Sequence, residues 1–336
     1  MFRFSNIKLV ISIAFFFLFM VSCKDTDNVK AEAKLHIPTG ASFSQIMDSI
    51  NPILKDPKSF ESFAKSKGME KKFYSGRYTL KPGMKNSEIV MMIQEGNQDE
   101  IAIRIGNYSS VLELSGKMGN ILESDSFQIL DRIVNASFAD GIDTAKLLSF
   151  YLPNTNNFHW NTSGDQFVER MYKEYQKFWS PKRLQEAEQA KMTPLEVTTL
   201  ASIVQLESAK PDEQAKVAAL YLNRLRIGMK LDADPTIVFI KKMNNGFQTK
   251  VSRVYYKDLA IVSPYNTYLN RGLPPGPICM PNPSAIDAVL NPETHDYIYF
   301  VADTSRPGYH LFAKTLSEQE VNAKAYRAWA NKNNVR

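Results

Sequence analysis

The sequence predicts an α+β protein in which a small subdomain of strands and helices is followed by a larger domain that mixes helices and sheet. Two short segments with Gly40 and Gly83 at their turns repeat the same strand, turn and helix pattern. A helix with strong start signals begins near Thr193, and two apolar strands, residues 297–302 and 309–313, flank a polar turn.

Length and composition agree with a globular protein of about two domains. The chain has 336 residues, of which 44% are hydrophobic and 11% aromatic, so disorder is not expected. The net charge of +6 suggests an anionic surrounding, such as a phospholipid face or an acidic polymer. Lysine and arginine are spread along the whole chain, which argues against a nucleic-acid groove. The two cysteines provide no disulfide framework, and Cys279 is expected to be a buried apolar thiol.

The N-terminus has the pattern of an export signal. Arg3 and Lys8 precede an uncharged, almost wholly apolar run from Leu9 to Val21. A helix of that length spans about 20 Å, which is short of the ~30 Å hydrocarbon core of a bilayer. The run therefore fits a signal peptide, and the residues that end at Cys23 resemble a bacterial lipobox, with Cys23 as the lipidation site. The alternative is a short uncleaved membrane anchor, and either interpretation places the remainder outside the cytoplasm.

The next segments divide into a tether and a repeat. Residues 24–34 are polar and charged and are interpreted as a tether after the signal or anchor of residues 1–23. In the repeat, each turn glycine is followed at offsets of four, six and ten by a serine and two isoleucines: Ser44, Ile46, Ile50 and Ser87, Ile89, Ile93. The segment RYTLKPGMKNSEIVMMIQEG is similar to LysM-like glycan-binding modules, so residues 35–105 are interpreted as a LysM-like subdomain. A chance match of two helix starts is the alternative.

The helix that begins near Thr193 carries the strongest candidate for chemistry. Thr193 is an N-cap, Pro194 takes the first helical position, and Glu196 completes a capping box, so the helix runs to about Ser208. Glu207, in its last turn, shares a helix face with three apolar residues: Leu200, Ile203 and Val204.

Such surroundings favour the protonated form of the Glu207 carboxyl. Burial disfavours the charged carboxylate, and the negative end of the helix dipole acts in the same direction, so both raise its pKa. A carboxyl group that stays protonated near neutral pH is what a general acid needs. The alternative is an ordinary helix-end glutamate that is solvated or paired with Lys210 or Arg224.

The remaining motifs give weaker signals. Residues 151–162 form an aromatic and asparagine-rich stretch that is predicted to be a loop, which either stacks on sugars or is anchored in the core. A second amphipathic helix is expected over residues 212–227. Asp232 and Asp234 suit a turn and a helix cap better than a cation site, which would need more carboxylates. Residues 263–277 form a stiff loop rich in rings and prolines that suits a binding surface.

Taken in order, these pieces resemble the YceG-like family of endolytic murein transglycosylases. The resemblance rests on LASIVQLES, VAALYLNRLRIGMKLDADPT, YNTYLNRGLPPGPI and DYIYFVAD followed by HLFAKTL, over residues 200–316. It implies a transglycosylase domain over residues 106–336 of a bacterial enzyme on the outer face of the cytoplasmic membrane. Such an enzyme cuts nascent glycan strands between N-acetylmuramic acid and N-acetylglucosamine and leaves 1,6-anhydro ends. It implies no cofactor or metal, peptidoglycan strands as the substrate, and peptidoglycan synthases as candidate partners.

The resemblance also assigns roles to residues. The essential glutamate of the family falls on Glu207. Six further positions are implied to contact the substrate or shape the cleft: Asn223, Asp234, Thr236, Tyr265, Asn266 and Tyr268.

Two departures from the family pattern leave rival functions open. Gln205 stands where the family commonly carries an acid. In residues 152–156, Asn154 and Asn156 replace the Asp and Tyr of the family's LPDTY-like motif. One rival is a non-catalytic peptidoglycan-binding lipoprotein in which Gln205 marks a decayed site. The other is a lysozyme-like hydrolase that uses Asp232 or Asp234 as a second carboxylate.

Overall fold

The structure is a computed structural model that describes residues 25, 27–139 and 142–333. The predicted signal or anchor, including Cys23, lies outside these residues. Within the part of the chain that is described, no helix has both the length and the apolar character needed to cross a bilayer.

The described chain forms helices and short strands, with six α-helices between the fourth and the fifth strand. The α-helices are α1 (Phe43–Ile50), α2 (Pro57–Ser66), α3 (Asn86–Glu95), α4 (Val111–Gly119), α5 (Ser126–Val134), α6 (Thr144–Leu147), α7 (Gly164–Phe178), α8 (Pro181–Gln189), α9 (Pro194–Glu207), α10 (Pro211–Arg226), α11 (Asp234–Asn245), α12 (Pro283–Leu290) and α13 (Leu316–Lys332). The strands are β1 (Ala33–Ile37), β2 (Gly76–Leu80), β3 (Glu100–Ile105), β4 (Asn154–His159), β5 (Tyr299–Ala302) and β6 (His310–Ala313).

The strands form small two-stranded sheets. β1 pairs antiparallel with β2, β3 pairs with β4, and β5 pairs antiparallel with β6. The hairpin of β5 and β6 matches the strand pair predicted from the sequence. Helices packed with small antiparallel sheets confirm the predicted α+β class.

The chain divides into two compact units. The first contains the described residues up to Ile101 together with His159–Asn161, and the second contains Ala102–Phe158 and the described residues from Thr162 onward. The predicted boundary after residue 105 lies at the end of β3, whereas this division falls within that strand. Residues 159–161 belong to the first unit although the residues on both sides belong to the second, and no pattern in the sequence predicts this.

In the first unit, the two repeated segments have the same local geometry. Gly40 and Gly83 both have positive φ, +79° and +88°, which explains glycine at both turns. All four repeated isoleucines are buried in one apolar core: Ile46, Ile50, Ile89 and Ile93. The strand, turn and helix pattern is therefore present twice, while the similarity to LysM-like modules stays a prediction.

The structure differs from the predicted tether at residues 27–30. Val29 is fully buried, and the backbone N–H of Asn28 donates to the carbonyl of Met84 at 2.9 Å. The Asn28 side chain donates to the Asn86 side chain at 2.8 Å and accepts from the Asp56 N–H at 2.6 Å. These contacts hold the segment against the first unit, because a single apolar residue among polar neighbours is enough to dock it.

The second unit is organised around α9. Eight consecutive residues of this helix, from Val197 to Val204, are buried. α9 contacts α8, α10, α11 and α12, so it is surrounded on all sides rather than amphipathic. Its buried hydroxyls are satisfied internally, since Thr198 and Thr199 donate to the carbonyls of Pro194 and Leu195.

Two further predictions concern buried residues of the second unit. Cys279 is buried as expected, and burial raises the pKa of its thiol to about 12, so the thiol stays protonated and unreactive. The predicted loop over residues 151–162 is wrong in part, because Asn154–His159 form β4. Tyr151 and Phe158 are buried, which agrees with the core-anchored alternative at those positions.

Candidate active site

The start of α9 confirms the predicted capping box. The Thr193 side chain accepts from the Glu196 N–H at 3.3 Å, and the Glu196 carboxylate accepts from the Thr193 N–H at 2.7 Å. Pro194 takes the first helical position, and the helix ends at Glu207, one residue before the predicted end. The cap fixes the register of the helix, and with it the direction in which Glu207 points.

The break between α9 and α10 is held by a buried polar network. Ser208 is extended and its hydroxyl donates to Glu213 at 2.9 Å. Glu213 also accepts from the His310 N–H at 2.7 Å and lies 2.9 Å from Nδ1 of the same histidine. Gln214 donates to the Ser208 carbonyl at 3.1 Å. The backbone that follows Glu207 is thus fixed by groups from α10 and β6.

Glu207 lies in the wall of a cleft of about 870 Å³ within the second unit. Its side chain is partly buried, and its Oε2 accepts a hydrogen bond from the hydroxyl of Tyr221 at 3.2 Å. Tyr221 is fully buried on α10 and packs edge-on against Phe300 of β5. Among the described residues, a single neutral donor therefore orients the carboxyl group.

The surroundings raise the pKa of Glu207 from the usual 4.5 to about 7. Burial is the main cause, and the negative charge of Asp234 is the second. The Tyr221 hydrogen bond and the positive charge of Arg224 act in the opposite direction and are weaker. The predicted rise is present, and burial causes most of it as expected, whereas the part played by Asp234 could not be seen in the sequence.

The alternative in which a cation holds Glu207 has no support in the described residues. Arg224 is buried and donates instead to the carbonyls of Ile298 and Leu231, each at 2.6 Å. Lys210 lies over the ring of Tyr309, with its Nζ 5.3 Å from the ring centroid. Both cations are engaged elsewhere, so neither forms a salt bridge with Glu207 in the part of the chain that is described.

Two of the six predicted contact residues line the cleft with Glu207. Asp234 is the first residue of α11 and is exposed. The hydroxyl of Tyr268 donates to its carboxylate at 2.7 Å, and both residues lie in the cleft wall. Burial, and then donation to Asp234, raise the pKa of Tyr268, so its hydroxyl stays protonated.

The other four predicted contact residues support the loops behind the cleft and do not line it. Asn223 donates to the carbonyls of His295 and Tyr297 at 2.8 and 3.1 Å. Asn266 is fully buried and donates to two loop carbonyls at 2.9 and 2.7 Å. Thr236 is fully buried and bonds to the Thr267 hydroxyl at 2.9 Å. Tyr265 is buried against Phe239, with ring centroids 4.8 Å apart.

Gln205 also has a structural partner. Its side-chain oxygen accepts from the backbone N–H of Asn282 at 2.5 Å, which joins the last turn of α9 to the start of α12. Gln205 is absent from the residues that line the cleft within the described chain. The Gln205 amide therefore forms a contact between two helices outside the cleft wall.

Sequence reasoning missed several residues of the cleft. Tyr221 does not line the cleft among the described residues, but it bonds to Glu207, and this bond depends on how α9 and α10 pack. The cleft is also lined by Lys242 of α11 and by residues 251–256, which include Arg253 and Tyr255. The clustering of arginine and tyrosine in SRVYY was the only available signal.

Comparisons with known proteins agree with this arrangement. The YceG-like family model matches residues 35–325. An endolytic murein transglycosylase of Bacillus subtilis is 27% identical over 317 residues, which cover 88% of this chain and 85% of the relative. A protein of the same name from Streptococcus pneumoniae is 25% identical over 327 residues, which cover 88% of this chain but 58% of the relative.

A solved structure gives the same result. The crystal structure of a putative YceG-like protein from Listeria monocytogenes superposes with a TM-score of 0.57 at 26% sequence identity. The superposition covers 87% of this chain and 98% of that one. Because the family match begins in β1, ends in α13 and includes Glu207 with every other described residue of the cleft lining except Tyr326, the chain belongs to the YceG-like family.

Proposed function

We propose that this protein is an endolytic peptidoglycan lytic transglycosylase that cuts nascent glycan strands and leaves 1,6-anhydro-N-acetylmuramic acid ends, so limiting strand length. The observation that carries the proposal is Glu207, a cleft-lining carboxyl group with a pKa of about 7 and no salt bridge in the described residues. The names of the relatives from Bacillus subtilis and Streptococcus pneumoniae support the same activity.

The proposed reaction uses Glu207 first as an acid and then as a base. Its proton passes to the glycosidic oxygen as the bond from C1 to that oxygen breaks. The N-acetyl group of the substrate stabilises the positive charge that develops at C1. The Glu207 carboxylate then takes the proton from the C6 hydroxyl as the oxygen of that group bonds to C1. One residue therefore returns to its starting state, and no water is consumed.

The pKa of Glu207 suits both steps. At a pH near 7, about half of the free protein carries the proton that the first step needs. The carboxylate formed in that step is a stronger base than an exposed glutamate, because burial and Asp234 disfavour its charge. Tyr221 donates to the carboxyl oxygen and so keeps the group aimed in one direction.

The first alternative function, a non-catalytic binding protein with a decayed site, agrees less well with the cleft. It depends on Gln205, which accepts a backbone hydrogen bond outside the cleft wall.

The second alternative function, a hydrolase, needs a second carboxylate that activates water. Asp232 does not line the cleft among the described residues, and Asp234 does but is held by the Tyr268 hydroxyl. The two activities give different product ends, which makes them separable by mass.

The test is digestion of purified, uncrosslinked glycan strands with a soluble form that starts after Cys23, followed by mass spectrometry of the products. We expect anhydro ends, which are lighter than hydrolysed ends by one water because the C6 hydroxyl takes the place of water. Digestion in ¹⁸O-labelled water gives a control, since a lytic reaction incorporates no label. Labelled reducing ends would establish the hydrolase instead, and intact strands would contradict both enzymatic proposals.

We further propose that a lipid on Cys23 attaches the protein to the outer face of the cytoplasmic membrane. The lipobox-like residues before Cys23 motivate this proposal, and an alanine there has no thiol to carry the lipid. Cys23→Ala is therefore expected to give an unlipidated form that runs at the larger, uncleaved size. Fatty-acid labelling and gel mobility measure this, with Cys279→Ala as the matched control. A Cys23→Ala protein with normal size and normal membrane association would point to the uncleaved anchor.

A further inference from the structure

The cleft continues well beyond Glu207 along α11. Asp234, Val238 and Lys242 are spaced at four-residue intervals on this helix and line the same wall. Eight residues of helix place Lys242 about 12 Å along the axis from Asp234. The cleft therefore has a second end, away from the proposed general acid.

A short segment held in place by one buried acid forms the other side of this distal end. Asp258 accepts a hydrogen bond from Nζ of Lys241 at 2.6 Å and another from the Tyr255 N–H at 3.0 Å. Its side chain is almost completely buried. These bonds connect α11 to residues 251–256, so hydrogen bonds hold the distal wall in a fixed position.

Two cations line this end, and neither has an acidic partner. Lys242 and Arg253 both lie in the cleft wall, and within the described residues neither forms an ion pair or hydrogen bond with a carboxylate. The neighbouring Lys241, by contrast, is paired with Asp258. Arg253 is held over the ring of Tyr255, with its guanidinium carbon 5.5 Å from the ring centroid.

The charges in the cleft are thus separated along its length. Glu207 and Asp234 are the acids among the described lining residues, and both lie at the proximal end. The distal end presents a guanidinium, an ammonium and two exposed tyrosines, Tyr255 at 53% and Tyr256 at 94% exposure. A guanidinium binds a carboxylate through two parallel hydrogen bonds, and an adjacent ammonium adds charge. An extended ligand that enters this end is therefore expected to carry a carboxylate.

We propose that Lys242, Arg253 and Tyr255 form a subsite for a free carboxylate on the peptide stem of a muramic acid residue displaced from the cleavage point. This inference rests on the proposed function, because peptidoglycan strands carry such peptides on alternating sugars. The Tyr255 ring supports the Arg253 guanidinium, whose carbon lies 5.5 Å from the ring centroid. The site thereby selects strands that still carry their stems over bare glycan.

The experiment compares three substrates of matched length: strands with intact stems, strands whose stem carboxylates have been amidated, and bare strands from which an amidase has removed the stems. For the soluble form, kcat/KM is expected to be roughly tenfold higher on intact stems than on the other two, as for the loss of one charge-assisted contact. Arg253→Gln and Lys242→Gln are each expected to lower this ratio, mainly through KM, and the double variant to bring it close to one. Lys250→Gln is the control, because Lys250 is exposed on the same stretch but does not line the cleft.

The outcomes separate this inference from the function on which it rests. Failure to cut any substrate, or labelled reducing ends, would overturn the proposed function itself. Anhydro ends formed at equal rates from all three substrates would leave that function standing and overturn the subsite. The same conclusion follows if the double variant keeps the wild-type ratio. The amidated strands test charge recognition with the unaltered protein, so the proposal does not depend on how a variant folds.

Discussion

Glu207→Gln is expected to abolish cleavage while leaving the protein folded. The amide has nearly the same shape and can still accept the Tyr221 hydrogen bond, but it has no proton to give to the glycosidic oxygen. Loss of the only proposed acid and base should lower the rate by about 10³-fold or more. Formation of anhydro ends measures the loss. Residual activity close to wild type would exclude Glu207 as the acid.

The same variant is expected to be more stable than the wild type at neutral and higher pH. Between the usual carboxyl pKa of 4.5 and the folded value of about 7, the folded state binds more protons than the unfolded state. The free energy of unfolding of the wild type therefore falls as the pH rises through this window and is lowest above it. Glutamine has no such charge to bury, so the variant should gain roughly 1–3 kcal/mol at pH 8 and little at pH 4.5.

Urea unfolding at several pH values measures this difference. Gln205→Glu is a useful contrast, because it changes an amide to an acid two positions earlier, outside the cleft wall. A Glu207→Gln protein that is less stable than the wild type at pH 8 would show that the carboxylate is favoured in the folded state. It would thereby contradict the raised pKa.

Activity is expected to fall steeply above pH 7. The first step needs the protonated acid, and each pH unit above its pKa lowers the protonated fraction by about tenfold. The alkaline limb of a plot of kcat/KM against pH should therefore have its midpoint near 7, since this parameter reports the free enzyme. A rate that stays constant to pH 9 would be inconsistent with Glu207 acting as the acid.

Substitutions of two neighbours of Glu207 should shift the midpoint of the alkaline limb in opposite directions. Asp234→Asn removes a negative charge that raises the pKa, so the limb should move to lower pH. Tyr221→Phe removes a hydrogen bond that favours the carboxylate, so the limb should move to higher pH. At pH 8 the two shifts correspond to roughly two- to tenfold changes in kcat/KM relative to each variant's own plateau.

Asp232→Asn is the matched control for this pair. Asp232 has a φ of +47°, a left-handed conformation that asparagine also tolerates, and it does not contribute to the pKa shift of Glu207. Replacement of Asp232 by asparagine should leave the midpoint of the alkaline limb unchanged. A shift in the same direction for all three variants would mean that the limb reports something other than Glu207.

Features coded by neighbouring residues were predictable from the sequence. The capping box at Thr193 and Glu196, with Pro194 between them, defined the start of α9, because these signals act within one turn of helix. The hairpin of β5 and β6 was equally local. The raised pKa of Glu207 followed from the apolar residues three, four and seven positions before it.

Features that depend on distant partners were not predictable. Asn223 and Asn266 were expected to touch substrate, but their amides bind carbonyls whose positions depend on how the loops fold. A motif residue that holds a loop and one that holds a ligand look the same in a single sequence. The burial of Val29 and the placement of both Lys242 and Arg253 in the cleft lining likewise arise only from tertiary packing.

The polar network behind Glu207 has a consequence for when the protein becomes active. The hydrogen bonds of Glu213 to His310 join residues 97 positions apart, and that of Arg224 to Ile298 joins residues 74 positions apart. Contacts between residues so far apart in sequence form late in folding, because the two ends of the intervening chain must first be brought together. The surroundings of Glu207 therefore become fixed only after the hairpin of β5 and β6 has folded against α10. A chain that lacks this hairpin carries every residue of α9 but not the polar network that fixes the backbone after Glu207.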